Sequence, residues 1–223
     1  MTWLTKTIAE FCKTGTGSTP LRAEGSRYYG GSIPWVKPDD LSQGIVLSTV
    51  ETLTEEALDA VNIKVIEPGA LLVSLFGPTV CQIAELGIRA TTNQTVCYVI
   101  PDTNIADKRY LYYALRRQAP IWIGQLKGSI KKGLSEGIIK RTEIPLPPLS
   151  EQLRIASILD KAEEVRKLRV KAAKSAEQLV EALTRTLVPI DLYKKLAIGI
   201  SSRSLFELEE SNNAFELEGK TGD

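Results

Sequence analysis

The chain has 223 residues, 43% of them hydrophobic, and a formal net charge of +1. This length and composition suffice for one sizeable globular domain with an appendage, or for two small domains. Because the chain contains no histidine, Ser-His-Asp and Cys-His catalytic arrangements and most zinc sites are excluded.

The charge is unevenly distributed along the chain. Residues 1–149 carry 16 basic and 14 acidic side chains, residues 150–200 carry 10 and 7, and residues 201–223 carry 2 and 6. The negative charge of residues 201–223 therefore offsets a modest net positive charge on residues 1–200. That balance permits binding to nucleic acid, since a protein that contacts phosphates along a narrow stripe need not be basic overall.

The cysteines and the apolar runs indicate where the protein resides. Cys12, Cys81 and Cys97 are odd in number and far apart in sequence, so we expect buried, reduced thiols rather than disulfides. No apolar stretch approaches the roughly 20 residues that a membrane-spanning helix needs, and the mixed polarity of residues 1–6 is unlike a signal peptide. We therefore expect a soluble, cytoplasmic protein with no membrane association.

Residues 1–149 contain short apolar runs separated by Gly, Pro and Asn, which is typical of strands. Between them lie helical segments. Thr54 is predicted to cap one helix, with acidic residues in its first turn. Strands and helices alternate without regular β-α-β spacing, which favours an α+β domain. The predicted strands are Ile45–Val50, Ala70–Phe76, Thr79–Ala84 and Gln94–Ile100.

A second helix is predicted later in the same region. Asp107 is a suitable N-cap for the segment Lys108–Gln118, which carries Arg116 and Arg117 near its C-terminal end. Pro120 is expected to end this helix, because proline lacks the backbone N–H that the helix requires.

Residues 150–188 contain neither Gly nor Pro and predict one long helix. Ser150 is a suitable N-cap, and Pro189 stops the helix after Val188. One narrow apolar seam, interrupted by Arg169, runs along it and requires a partner helix or, alternatively, packing along its own domain. The apolar seam residues are Ile158, Ala162, Val165, Ala172, Ala176, Leu179 and Leu183. The remaining residues, 189–223, form an acidic tail that we expect to be partly disordered.

No motif predicts catalysis or a bound metal. The segment 14–19 (TGTGST) lacks the Gly-Lys-Ser/Thr ending of a nucleotide-binding loop and is better explained as a flexible loop that approaches DNA. The one Asp/Glu-x-Lys triplet, Glu218–Lys220, lies in the tail, and no Asn/Asp-Pro-Pro segment of a methyltransferase is present. We predict a non-enzymatic protein with no cofactor and no metal.

Three segments carry the residue types that bind DNA. The glycine-flanked lysines Lys127, Lys131 and Lys132 suit phosphate contacts. The turn Arg89–Gln94 offers side chains that can read base edges. Further cations lie in an early polar segment. Each charge could instead be an ordinary surface residue. The candidate DNA-binding residues are Arg22, Arg27, Lys37, Arg89, Thr92, Asn93, Gln94, Lys127, Lys131 and Lys132.

Residues 144–160 (IPLPPLSEQLRIASILD) closely resemble the segment that joins the target recognition domain to the conserved helix in specificity subunits of type I restriction–modification systems. Residues 28–41 (YYGGSIPWVKPDDL) resemble an early motif of the same family. Asn93-Gln94 and the Gly128–Leu134 loop follow in the family's order. The resemblance covers residues 1–188 and implies a target recognition domain (1–149), a long coiled-coil-forming spacer helix (150–188) and an additional tail (189–223).

The resemblance further implies a non-catalytic subunit that binds double-stranded DNA. Its implied partners are a methyltransferase subunit, which holds S-adenosylmethionine, and a restriction subunit that translocates DNA. Members of the family typically contain two recognition domains and two helices, whereas this chain has one of each. We therefore expect a homodimer of half-subunits that recognises a bipartite site. Two alternatives remain at this stage, namely a protein-interaction module that uses the helix without DNA, and an uncharacterised DNA-modifying enzyme.

Overall fold

A computed structural model describes residues 3–127 and 133–187. The chain divides into two compact units, Met1–Lys161 and Ala162–Asp223. The predicted tail, Val188 and two candidate lysines, Lys131 and Lys132, lie outside the described residues.

In the described part of the first unit there are ten short strands, four helices and the opening turns of a fifth helix. The strands are β1 (Thr5–Thr7), β2 (Cys12–Thr16), β3 (Tyr29–Val36), β4 (Ile45–Val46), β5 (Glu51–Leu53), β6 (Leu71–Ser74), β7 (Ile83–Leu86), β8 (Thr91–Thr92), β9 (Val96–Pro101) and β10 (Glu143–Pro145). The helices are α1 (Ile8–Phe11), α2 (Glu55–Val61), α3 (Lys108–Lys127), α4 (Glu136–Arg141) and α5 (Leu149–Leu187). Two 3₁₀ segments, Arg22–Arg27 and Pro38–Gln43, flank β3.

The strands form three sheets. The largest has the order β2-β9-β6-β7-β4, antiparallel except for the parallel β7–β4 pair. A three-stranded sheet has the order β5-β3-β8, and β1 pairs with β10. These mixed sheets interleaved with helices confirm the predicted α+β class.

The central strand β6 is buried on both faces. Leu71 and Val73 belong to a core that also contains Leu111 of α3 and Ile139 of α4. Leu72, between them, belongs to a second core on the other face of the sheet. This alternation follows from the two-residue period of a strand, and it explains why the segment is continuously apolar in sequence.

The prediction of α2 from its capping residue and acidic first turn is confirmed. Thr54 Oγ1 accepts a hydrogen bond from Ala57 N at 3.2 Å and caps the helix as predicted. The predicted strand Thr79–Ala84 is shifted, because residues 79–82 form turns and β7 begins at Ile83. Two backbone hydrogen bonds, Val80 N to Gly77 O and Gln82 N to Thr79 O, stabilise these turns.

The predicted end of α3 is wrong, because the helix continues through Pro120 to Lys127. Asp107 caps its start as expected, with Oδ1 accepting from Tyr110 N at 2.8 Å. Beyond the proline, Trp122 is 2% exposed, and its Nε1 donates to Thr142 Oγ1 at 3.2 Å. This packing holds the later turns in place although proline removes one helical hydrogen bond.

The first turns of α5 are fixed by polar contacts inside the first unit. Gln152 is buried, and its Oε1 accepts from Asp107 N at 2.8 Å. Its Nε2 donates to Ile105 O at 3.0 Å and to Pro147 O at 2.8 Å. Asp160 accepts from Tyr113 Oη at 2.7 Å and pairs with Arg109. This anchorage gives the glutamine of the Pro-Pro-Leu-Ser-Glu-Gln run a structural role at the start of α5.

The second unit contains the rest of α5. Its described residues, 162–187, are exposed except for the half-buried Glu163. Within the described ranges, no helix is both long and apolar enough to cross a membrane.

Candidate nucleic-acid interface

The loop that follows β2 is held at three points, in contrast to the flexible loop that the sequence predicted. Ser18 O accepts from Trp35 Nε1 at 3.2 Å, and Pro20 O accepts from Tyr29 Oη at 2.6 Å. Thr19 Oγ1 donates to Gln94 Oε1. The loop therefore connects β3 to the turn that precedes β9.

Gly17 allows this loop to approach β8 closely. A Cβ at this position would lie 1.6 Å from Thr92 O, far inside van der Waals contact. Only glycine fits here without a shift of the backbone. Gly17 thus serves a close backbone contact and Gly15 lies against the Tyr98 side chain, uses that differ from the phosphate-binding use of glycine-rich loops.

Two candidate cations meet at one carboxylate. Glu51 Oε2 lies 2.6 Å from Arg22 Nη1, and its Oε1 pairs with Lys37 Nζ. β5 pairs with β3 in a register that places Glu51 opposite Trp35. Hydrogen bonds from Arg22 and then Lys37 lower the pKa of Glu51 to about 2, so the carboxylate is ionised at neutral pH.

Aromatic rings lie beneath these cations. The Arg22 guanidinium carbon is 4.3 Å from the Tyr29 ring centroid and 5.4 Å from that of Trp35. Lys37 Nζ is 5.9 Å from the Trp35 centroid. We name Arg22, Tyr29, Trp35, Lys37 and Glu51 the arginine shelf. Its mixture of cations and aromatic rings is of the kind that contacts nucleic acid.

Arg27 lies at the end of the same 3₁₀ segment. It pairs with Glu56 at 2.6 Å and with Glu24 at 3.2 Å, and its guanidinium lies 5.3 Å from the Tyr28 ring centroid. Both carboxylates are exposed enough for water and salt to weaken these pairs. An external anion can therefore compete with them for Arg27.

The residues of the predicted base-reading turn differ in their exposure and in their hydrogen-bond partners. Gln94 is exposed and bound to Thr19, and Arg89 is exposed beside Glu67, 3.2 Å away. Asn93 uses its Oδ1 within the turn, where it accepts from Thr95 N and from Thr95 Oγ1, both at 3.0 Å.

Thr92 is a correction to the candidate set, because its side chain is fully buried and cannot reach a ligand in this conformation. Its polar neighbours in sequence suggested a surface turn, but β8 is covered on both sides. Within the described residues, the hydroxyls of Thr91 and Thr92 have no hydrogen-bond partner.

The predicted lysine segment is described only at its ends. Lys127 is the last residue of α3, and the structure resumes at Gly133. Leu134 is buried and its N donates to Leu75 O at 2.8 Å, which fixes the return of this segment beside the end of β6. The roles of Lys127, Lys131 and Lys132 stay predictions.

Sequence reasoning missed Glu51 as a member of the site. Its neighbours on the shelf, Tyr29 and Trp35, lie in the early motif, but Glu51 lies 14 residues beyond Lys37 along the chain. Only the β3–β5 register brings the carboxylate to both cations. A prediction that β3 and β5 pair in an antiparallel manner would have placed Glu51 beside these cations.

An α+β domain with a cationic, aromatic surface, continued by a long helix with exposed apolar residues, fits a recognition subunit. The family model "Type I restriction modification DNA specificity domain" matches residues 1–177, so the chain belongs to this family and the predicted resemblance is confirmed.

Curated relatives agree with this membership. The chain is 31% identical over 162 residues to the EcoR124I/EcoR124II specificity subunit of Escherichia coli, covering 70% of this chain and 40% of that protein. It is 30% identical over 162 residues to the MjaIX specificity subunit of Methanocaldococcus jannaschii, covering 70% and 37%. The chain thus spans about two fifths of the length of these relatives.

Solved structures share the fold. A chain from a type I restriction–modification assembly has a TM-score of 0.63 at 23% identity, covering 83% of this chain and 43% of that one. The HsdS subunit of Thermoanaerobacter tengcongensis has a TM-score of 0.58 at 22% identity, covering 78% and 39%.

Proposed function

We propose that this chain is a non-catalytic DNA-specificity half-subunit, which pairs with a second copy to direct a methyltransferase subunit to a bipartite DNA site. The observation that carries the proposal is a recognition domain joined to a helix whose apolar seam is exposed. Membership of the specificity-domain family supports the DNA-binding part. The relatives' names assign them to restriction enzymes as specificity subunits.

The seam supports pairing of two copies. Ile158 is 52% exposed, Val165 49%, Leu179 60% and Leu183 47%. Apolar side chains spaced alternately by four and three residues form one stripe along a helix, and burying such a stripe against a second helix is favourable. The small residues Ala172 and Ala176 permit close approach of the partner helix.

An antiparallel pair of helices would give the assembly twofold symmetry. The two recognition domains would then lie at opposite ends of the pair and contact DNA in opposite orientations. The expected target is a palindromic bipartite sequence with an unspecified spacer, whose length is set by the helices.

The partners follow from the same family assignment. Double-stranded DNA would bind the arginine shelf and the neighbouring turn at Gln94. The methyltransferase subunit would supply S-adenosylmethionine and the chemistry, and a restriction subunit with translocase activity would complete the system. The chain itself would need no cofactor.

The test is the mass in solution at low micromolar concentration, measured by light scattering after size exclusion, with and without the methyltransferase subunit. A mass near twice 24.5 kDa for the chain alone is the expected result. A chain that is monomeric alone and dimeric only with the methyltransferase subunit would show that dimerisation depends on that subunit. A monomer that ignores the methyltransferase would contradict the proposal.

DNA recognition is tested on the same preparation by selection from a random duplex library. We expect two inverted half-sites separated by a spacer of constant length. Enrichment of an asymmetric site would contradict twofold pairing, and absence of any enriched sequence, with retained fold, would contradict the DNA-binding function.

A further inference from the structure

The Arg22 guanidinium is held in a defined plane before any ligand binds. It lies on Tyr29 and Trp35, whose rings meet edge to face with centroids 5.8 Å apart. Trp35 is 1% exposed, whereas the Arg22 side chain is 57% exposed. The rings therefore form a rigid support under a cation that remains accessible.

The support is itself fixed. Tyr29 Oη and Trp35 Nε1 donate to the carbonyls of Pro20 and Ser18, two and four residues before Arg22 in the chain. The backbone that carries the arginine and the rings that it covers are thus joined by hydrogen bonds. Little side-chain freedom remains for Arg22 to lose on binding, which favours a directional contact.

Glu51 fixes the remaining rotation of the guanidinium. Its carboxylate binds Arg22 at Nη1, 2.6 Å away, and the guanidinium has five N–H donors in all, more than this contact can use. Lys37 binds the other carboxylate oxygen. Two cations and one anion leave one net positive charge on the shelf.

We infer that Arg22 reads the major-groove edge of a guanine, and that Glu51 is the positioning residue that holds the guanidinium for this contact. The inference rests on the proposed DNA-binding function and adds a base and a residue to it. Guanine presents O6 and N7 as adjacent acceptors, which a planar guanidinium matches with two parallel hydrogen bonds.

A phosphate contact fits the shelf less well. The ionised Glu51 beside Arg22 weakens the attraction of the shelf for the full negative charge of a phosphate group, although one net positive charge remains. A guanine edge carries only partial negative charge and needs the fixed plane that the rings provide. Gln94, a second side chain able to form paired hydrogen bonds, is bound through Thr19 to the same loop. Arg22 and Gln94 are thus both joined to the loop that contains Thr19.

The experiment compares base preference between the full-length wild-type chain and its Arg22→Lys variant on the DNA site selected by wild type. Lysine keeps the charge and loses the planar donor pair. We expect the preference for one G·C pair in each half-site to fall roughly 5- to 150-fold, while preference at other positions and the salt dependence of binding stay unchanged.

Glu51→Gln tests the positioning role, because glutamine keeps the size of the side chain and removes its charge. Preference should fall at the same G·C pair and nowhere else, by less than in Arg22→Lys. Affinity for non-specific DNA should rise, since the repelling carboxylate is gone. Arg154→Lys is the matched control, since Arg154 also forms an exposed arginine–carboxylate pair, with Glu151 on α5. It should leave the preference unaltered.

Other outcomes overturn the inference and separate it from the proposed function. An equal loss of affinity for all sequences in Arg22→Lys, with a shallower salt dependence, would make Arg22 a phosphate contact. Unchanged preference in folded Arg22→Lys and Glu51→Gln variants would leave the shelf a purely structural feature. In both cases the wild-type chain would still select a DNA site. If the wild type selects none, the proposed function and this inference both fail.

Discussion

Gly17 shows how one residue without a side chain organises a surface. Its close approach to Thr92 O positions the carbonyls of Ser18 and Pro20, which bind the rings beneath Arg22. The sequence pattern identified the glycine-rich segment as notable, but it could not distinguish close backbone packing from flexibility, because both use glycine.

We predict that Gly17→Ala lowers the free energy of unfolding by about 1–3 kcal/mol, because the added methyl group forces the loop away from β8. Urea unfolding followed by circular dichroism measures the change. Gly124→Ala is the control, since a Cβ at this position in α3 meets nothing within 4 Å. It should stabilise the protein by about 0.5–1 kcal/mol. Equal effects of the two substitutions would show that the contact with Thr92 is unimportant.

Glu51 predicts a dependence of stability on pH. Its pKa is lowered from 4.5 to about 2 by Arg22 and Lys37, so the folded state binds this proton less readily than the unfolded state. The resulting stabilisation is complete above pH 4.5 and is lost as the pH falls toward 2. The difference in melting temperature between wild type and Glu51→Gln should shrink across this window. A constant difference from pH 7 to pH 2.5 would contradict the ion-pair explanation.

Some helix starts were predictable because their signal is local. Thr54 and Asp107 cap α2 and α3 as their sequences indicate, because an N-cap depends on residues within one turn. The predicted cap Ser150 was wrong, since α5 begins at Leu149, and the predicted strand Ile45–Val50 is a strand only over Ile45–Val46. The continuation of α3 past Pro120 was not predictable, since it depends on Trp122 reaching Thr142, a contact 20 residues away. The position of Glu51 at the site was not predictable for a similar reason, because it depends on the pairing of β3 with β5.

The helix α5 provides a prediction of its own. Leu179→Glu places a charge in the seam of both copies of the proposed dimer. The loss of two buried leucines weakens a dimer by about 3–6 kcal/mol, which should give a monomer at low micromolar concentration. Light scattering measures the mass. Gln178→Glu adds the same charge to an exposed neighbour about 100° around the helix and should leave the dimer intact. Dissociation by both variants, or by neither, would contradict the proposed seam.

For the whole molecule, the proposed assembly makes the helix a ruler for the DNA spacer. Duplicating the heptad 165–171 preserves the seam and lengthens the helix by about 10 Å, since each residue adds about 1.5 Å. The selected spacer should grow by about three base pairs, at roughly 3.4 Å each.

The control for this experiment is a chain of unchanged length in which the polar residues of the same heptad are permuted. Its spacer should equal that of the wild type. If the lengthened chain selects the wild-type spacer, the helix does not set the distance between half-sites.

Gln152 anchors the start of α5 through backbone atoms alone, namely those of Asp107, Ile105 and Pro147. Backbone atoms persist when side chains mutate. Over evolutionary time, therefore, residues of the proposed recognition surface such as Arg22 and Gln94 can be replaced while the contacts that hold the helix are retained. The residues that contact a ligand can therefore change without changing the contacts that attach α5. The same helix can then be combined with different recognition surfaces.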